Sequence, residues 1–206
     1  MRFYDRAFAA GYDYVLGRSE RAGLADIRRD LLSQATGRTV ELGAGTGLNL
    51  EHYPQAVTEL VLTEPDRHMA RQARAKAGSR AEVIEAPGED LPFEDASADT
   101  IVFTMILCTA PDPDAVLREA HRVLKPGGRV LFFEHVRSED PRLARWQDRL
   151  RGPWELFGNG CRCNQATAEF FESSPLQVES IERGRIPRAM PLVRPLLRGT
   201  ASKPVA

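Results

Sequence analysis

The stretch that decides the fold is Arg38-Thr-Val-Glu-Leu-Gly-Ala-Gly-Thr-Gly-Leu-Asn-Leu50. Its opening residues read as a short strand, Gly43, Gly45 and Gly47 as a tight turn, and Leu48 onward as the start of a helix. Glycines at a strand-to-helix turn let the backbone approach a ligand at angles denied to residues with a Cβ, beside the free N–H groups of a helix start. Working outward, residues 58–66 (TELVLTEPD) read as a second strand ending in acids. Residues 65–78 form a helix stopped by Gly78. Residues 81–93 give a third strand and a loop. Residues 98–109 (ADTIVFTMILCT) give a fourth strand, an apolar run of the kind found when both sheet faces are covered. A helix over 112–128 ends at Pro126 and two glycines, and 128–136 is a fifth strand. This alternation predicts a doubly wound, mainly parallel sheet.

The flanks differ from this core, taken as 36–137. Residues 1–35 carry apolar residues at helical spacing, and Phe3, Tyr4, Phe8, Tyr12 and Tyr14 suit a lid helix over a ligand; the acids Asp5 and Asp13 speak against a membrane-surface helix. Residues 138–175 read as a helical insertion, and 176–206 supply two last strands near 176–186 and 196–204. With no repeat or linker, the 206 residues make a single domain (1–206).

Composition narrows the classes. A net charge of −1 gives no basic field to neutralise phosphates, which argues against a nucleic-acid partner and leaves a small-molecule substrate. Three cysteines and no leader-like apolar run fit a reducing, cytoplasmic location without an integral membrane span. The tail RIPRAMPLVRPLLRG (185–199) leaves peripheral lipid contact open, and nothing in the sequence bears on oligomeric state.

The turn's details select a ligand. A dinucleotide fingerprint requires glycine at position 48 or 50, and both are leucine. A cofactor without phosphates but with a ribose diol and an ammonium, such as S-adenosylmethionine, fits instead. Glu64, at the end of the second strand, accepts both ribose hydroxyls, while Glu41 helps hold the amino end. Gly43, Ala44, Gly45, Gly47 and Asn49 then line the turn, with Pro65 and Met69 beside it. Gly88, Glu89 and Asp90 in the third loop read the adenine, and Thr104 and Met105 line the methionyl portion. A plain βα turn with packing glycines is the competing reading.

Together, ELGAGTG, LTEPD, GEDLPFEDASADTIVF and LREAHRVLKPGGRVLFFEHV resemble class I S-adenosylmethionine-dependent methyltransferases of the type 11 group over residues 35–137. The resemblance implies a Rossmann-like, doubly wound seven-stranded α/β sheet, with a helical insertion after strand five. Cys108, EHV at 134–136, Trp146-Gln147, Pro153-Trp154, Gly160-Cys161 and Leu192-Val193-Arg194-Pro195 are spaced as in the methyltransferase-like seven family. Those are membrane-associated alkyl thiol methyltransferases, which implies a small thiol or sulfide as acceptor. Two departures stand out: their apolar anchor is missing, and Leu196 replaces their histidine after Arg-Pro. The alternatives are C-, O- or N-methylation of a quinone, phenol or phospholipid headgroup, and a non-catalytic S-adenosylmethionine-binding module. No N/D-P-P-Y/F-like segment of a nucleic-acid methyltransferase follows strand four.

On the acceptor side, His135 at the end of strand five is the candidate general base, with a structural strand-end histidine as the alternative. Tyr12, Cys108, Trp146, Trp154 and Cys161 are expected to wall the acceptor pocket, against ordinary core packing. Cys161-x-Cys163 lacks the four-ligand spacing of structural zinc and the histidines are scattered, so no metal is expected.

Overall fold

β1 (Gly37–Leu42), β2 (Val57–Thr63), β3 (Glu82–Ile84), β4 (Ala98–Thr104) and β5 (Leu124–His135) run parallel. β7 (Pro195–Ser202) inserts antiparallel between β5 and β6 (Gln177–Arg185), completing one seven-stranded sheet in the order β3-β2-β1-β4-β5-β7-β6. The computed structural model describes residues 2–205, with side chains from residue 8 onward. Phe3 and Tyr4, assigned above to the lid, lie outside the described side chains.

Alternation along the central strands builds a core on each face. Phe103, Phe132 and Val40 point to one side, while Val102, Leu131 and Phe133 point to the other, against Leu24, Leu31 and Leu32. The covering helices are α1 (Arg2–Ser19), α2 (Ala25–Leu32), α3 (Arg67–Ala77), α4 (Pro113–Val123), α5 (Pro141–Phe157) and α6 (Thr167–Ser173). Asp66, Asp112 and Asp140 cap α3, α4 and α5, accepting from Met69, Ala115 and Arg142 amides at 3.0, 2.9 and 2.9 Å. Between α1 and α2 the chain breaks at Gly23, whose φ is 123°.

Two boundaries differ from the sequence reading. No helix follows the glycine turn: residues 45–52 are successive turns, with Gly47 N–H on Ala44 O and His52 N–H on Asn49 O, both 2.9 Å. Few residues separate Gly47 from Pro54, too short a span to repay helix nucleation, and the Asn49 side chain is turned inward to polar partners. α4 stops at Val123, before Pro126, because a residue preceding proline avoids the helical region. Gly127 then donates to Lys203 O at 2.8 Å, joining the start of β5 to the tail.

α6 is fastened to the sheet by Phe171, fully buried and stacked on Phe132 at 4.0 Å between centroids. Phe171→Ala is expected to cost about 3–5 kcal/mol, read as a lowered urea midpoint with unchanged slope. A loss below ~1 kcal/mol would mean that α6 does not lean on this stack.

Candidate active site

The parallel strands deliver their loops to one edge of the sheet. Gly43, Gly45 and Gly47 have φ of 62°, 58° and 80°. At Gly43 a Cβ would come within 2.6 Å of Ile106, whereas at Gly45 it would meet only Tyr12 Cε1 at 3.9 Å and Met69 Sδ at 4.0 Å. A Cβ at Gly45 would thus make ordinary contact with Tyr12 and Met69 without a clash, and it is the left-handed conformation that calls for glycine there. Ala44 N–H binds Thr63 O at 2.9 Å, fixing the turn beside β2. Glu64 follows β2, with Pro65 leading into α3; its carboxylate accepts from Gly45 N at 2.7 Å and Asp66 N at 2.9 Å. Burial raises its pKa. Each oxygen keeps lone-pair capacity for a further donor.

Glu41 is only 1% exposed and both its oxygens are taken, by Asn49 Nδ2 and Tyr53 OH, each at 2.7 Å. It orients Asn49, so the help at the cofactor's amino end expected from the sequence is left to its charge or to water. Burial pushes its carboxyl up to about 7. Asn49 also donates to Thr104 Oγ1 at 3.0 Å and accepts from Arg28 Nη1 at 2.8 Å. Arg28, 3% exposed, pairs with Glu20 at 2.9 Å and lies over the Phe133 ring at 5.1 Å. Sequence reading missed Arg28, which looks like any helical arginine in a chain rich in them.

The loop carrying Gly88, Glu89 and Asp90 is held from α4. Glu119 accepts from Leu91 N at 2.9 Å, and Arg122 donates to the carbonyls of Leu91 and Phe93 at 3.0 and 2.8 Å. Glu89 takes Asp112 N at 3.4 Å, and Gly88 packs where a Cβ would be 3.3 Å from Val116. After β4, Met105 adopts a positive φ of 62°, a strained non-glycine position of the kind concentrated at functional sites. The turn it opens is held by buried Glu134, whose Oε1 accepts from Ile106 N at 2.9 Å and Leu107 N at 3.2 Å.

That turn presents Cys108 to His135 and Cys161, and the ligating atoms of all three lie within 4.8 Å of one another. His135 Nε2 is 3.0 Å from Cys161 Sγ, and Trp154 Nε1 donates to the same sulfur at 3.2 Å. The hydrogen bond from Cys108, then the charge of His135, draws the Cys161 pKa down, while Cys108 is pushed up. Cys163, which the sequence paired with Cys161, turns away and donates to Gln147 O. The sequence put the three residues on the acceptor side one by one but not in contact, because they come from the turn after β4, the end of β5 and the loop after α5.

α1 covers the turn. Asp13 accepts from Thr46 Oγ1 and pairs with Lys76 at 2.7 Å, and Gln72 Nε2 donates to Ala9 O at 2.9 Å. Burial, helped by the charges of Cys108, Glu64 and Cys161 and opposed by Arg28, pushes the Tyr12 hydroxyl pKa up. Two expected residues are not brought in. Tyr14 is 88% exposed, pointing away from the turn, and Trp146 is 55% exposed with Arg149 over its ring at 5.8 Å. The reason at Trp146 is its neighbour: Gln147 occupies the inward face of α5, donating to Val136, Cys163 and Leu192 carbonyls at 3.1, 2.9 and 2.8 Å. Trp154, two turns on, shares that inward face.

Residues 40–132 match a family model described as a methyltransferase domain. The fold is shared with solved methyltransferases: a chain of the complex between the Haloferax volcanii Trm112 methyltransferase activator and a methyltransferase superposes with a TM-score of 0.76 at 21% identity, covering 97% of each chain. The protein is a class I S-adenosylmethionine-dependent methyltransferase. It is 33% identical over 191 residues to thiol S-methyltransferase TMT1B of Homo sapiens, covering 85% of this chain and 78% of that one. A shorter match, 35% over 101 residues, is to the ubiquinone/menaquinone biosynthesis C-methyltransferase UbiE of Rubrivivax gelatinosus, covering 49% of this chain and 40% of that protein. The chain belongs to the family of the TMT1 methyltransferases. Among the described residues no helix is long and apolar enough to cross a membrane.

Glu41 makes stability depend on pH. Its carboxyl holds a proton to about 7 when folded against an ordinary 4.5, so the folded state binds more protons and its contribution is lost as pH rises through that window. That contribution is about 3 kcal/mol at most. Glu41→Gln, which keeps the shape and the Asn49 bond, should therefore flatten the fall in urea midpoint between about pH 5 and pH 8. Equal pH slopes for the variant and the parent would contradict this origin.

Proposed function

We propose that this protein moves a methyl group from S-adenosylmethionine to the sulfur of a small thiol or of sulfide. The observation that carries the reading is a juxtaposition at the strand ends. Glu64 and the glycine turn, covered by Tyr12 at Gly45, follow β2 and β1, while the sulfurs of Cys108 and Cys161 gather with His135 at the ends of β4 and β5. Kinship with TMT1B, a thiol S-methyltransferase by name, supports sulfur as the acceptor atom.

The residues fit the cofactor. The left-handed glycines let a ligand approach the backbone of the turn, and Glu64 retains lone pairs for the ribose hydroxyls. In this reading Gly88, Glu89 and Asp90 would read the adenine, and Met69, Thr104 and Met105 would line the methionyl portion. When bound, S-adenosylmethionine supplies a methyl already activated on a sulfonium, so the protein need offer no covalent nucleophile. Its work is to hold the acceptor in line and exclude water, a proximity effect. Tyr12 and Trp154 serve the second task.

A thiol of pKa ~8.5 is mostly protonated at neutral pH, so deprotonation is the remaining demand. His135 sits where a base is required, but its Nε2 is engaged with Cys161, so imidazole and thiol act as a unit. A net charge of −1 suits a free small molecule over a nucleic acid, and a reducing cytoplasm would keep the three cysteines as thiols.

Release of S-adenosylhomocysteine is expected with alkyl thiols or sulfide, and Gly45→Arg should abolish cofactor binding by forcing a bulky side chain into the turn at a φ of 58°. Saturable cofactor binding with no release on any thiol would overturn the acceptor assignment and direct attention to quinones, phenols and lipid headgroups. Glu64→Gln should weaken S-adenosylmethionine by about 10–100-fold in calorimetry, the worth of hydrogen bonds to a charged acceptor. An unchanged Kd would remove Glu64 from the ribose.

A further inference from the structure

The geometry points to a cation site: Cys108, His135 and Cys161 form a three-ligand centre for zinc(II), whose fourth position takes the acceptor thiol. This deepens the thiol reading above and rests on it for the identity of the fourth ligand. Three protein donors with one open position distinguish catalytic zinc sites from closed, four-ligand structural ones, and two cysteines with one histidine are an established donor set for the former. Among the described residues no fourth histidine, cysteine or carboxylate joins the group.

Distances suit the ion. Tetrahedral zinc with Zn–S of ~2.3 Å and Zn–N of ~2.0 Å separates its donors by roughly 3.5–3.8 Å. The three donor atoms already lie within 4.8 Å of one another, and the 3.0 Å between His135 Nε2 and Cys161 Sγ need open only slightly. The surroundings brace two of the ligands. Arg162 N donates to Cys108 O at 2.8 Å and Gln165 Nε2 to Leu107 O at 3.2 Å, tying the Cys161 loop to the Cys108 turn. Trp154 Nε1 gives Cys161 Sγ the N–H···S bond expected of an outer-shell partner to a metal thiolate. Cys108 follows the end of β4 and His135 ends β5, on the strand-end side that carries the cofactor loops, so the open position is assigned to the methyl side.

The centre answers the deprotonation demand. Two cysteine thiolates and a neutral imidazole balance the two positive charges of zinc. An acceptor thiol taking the fourth position loses its proton to water and leaves the complex with one net negative charge. A lone pair on that sulfur then forms the new S–CH3 bond as the methyl–sulfonium bond breaks, and the departing electrons make neutral S-adenosylhomocysteine. The thioether product carries no charge, binds zinc weakly and yields its place to the next thiol. Nothing is oxidised or reduced.

The test uses the full-length chain, reduced, stripped with chelator and titrated with cobalt(II), whose tetrahedral thiolate complexes absorb in the visible and near ultraviolet. The expected result is about one cobalt per chain, with sulfur-to-metal charge-transfer bands and intense ligand-field bands. Cys108→Ser and Cys161→Ser should each weaken those bands and lower affinity at least tenfold, with folding checked by circular dichroism. Trp154→Phe should weaken binding about 10-fold through the outer shell. Cys163→Ser, outside the cluster, should leave the spectrum unchanged. An alkyl thiol added without S-adenosylmethionine should add charge-transfer intensity, a readout that needs no turnover. A folded, reduced chain that binds S-adenosylmethionine but retains no cobalt overturns the site, as do bands that survive both serine variants. A thiol that leaves the cobalt spectrum unaltered overturns the open-position assignment. Cobalt bound by the three residues with no methyl transfer to any thiol defeats the thiol reading and leaves the cation site standing.

Discussion

Burying the guanidinium of Arg28 imposes the constraint that organises the cofactor side of this molecule. A cation removed from water must be compensated on nearly every donor, and removing a partner from such a group is far costlier than never having built it. Arg28 meets that demand with three parts of the chain at once: Glu20 before its own helix, Asn49 from the glycine segment and the face of Phe133 in β5. Asn49, fixed by Arg28 on one side, gives its amide hydrogens to Glu41 and Thr104, the ends of β1 and β4. The segment after the glycines is thus held by side chains where a longer loop would have used a helix. The helical cap formed by α1 and α2 is coupled to the cofactor turn through the same charge.

The same device recurs around the edge of the sheet. The loops after β1, β2, β3 and β4 are each held by a carboxylate that accepts backbone N–H groups from them. Glu64 takes Gly45 and Asp66, Glu119 takes Leu91, and Glu134 takes Ile106 and Leu107. A carboxylate binding amides fixes a loop's path without occupying its outer face, so the loops stay rigid while remaining open to a ligand. Burial exacts a cost in protonation: Glu41 and Glu134 are both pushed up to about 7.

What could be read from the sequence follows the reach of each signal. Strand runs such as ADTIVFT and the helix with Val116, Leu117 and Ala120 were legible because periodicity and capping are local. The glycine turn and Glu64 were legible because they sit together on adjacent strand ends, with chemistry that is nearly position-specific. Asn49 was noticed but not its role, which depends on Arg28 twenty-one residues earlier. Trp146 and Trp154 looked alike in composition, and only the burial of Gln147 separates the outward one from the inward one. Glu119 and Arg122 gave no signal in the sequence, because their grip on the third loop exists only once β3 and α4 are folded together.

The acceptor side was hardest to read for a structural reason. The cofactor loops leave successive strands of the parallel core, so their order in sequence mirrors their order in space. The cluster of Cys108, His135 and Cys161 has no such order. Cys161 arrives from the insertion between β5 and β6, and its place is set by Arg162 on the Cys108 carbonyl and Gln147 on the Cys163 carbonyl. A core of this kind can therefore keep its cofactor site while a different insertion brings a different set of groups to the methyl. The side chains that choose the acceptor are then those on the insertion together with the strand ends they meet. In this protein that meeting point is two thiols, an imidazole and an indole N–H, a set of soft donors gathered where the transferable methyl is expected to lie.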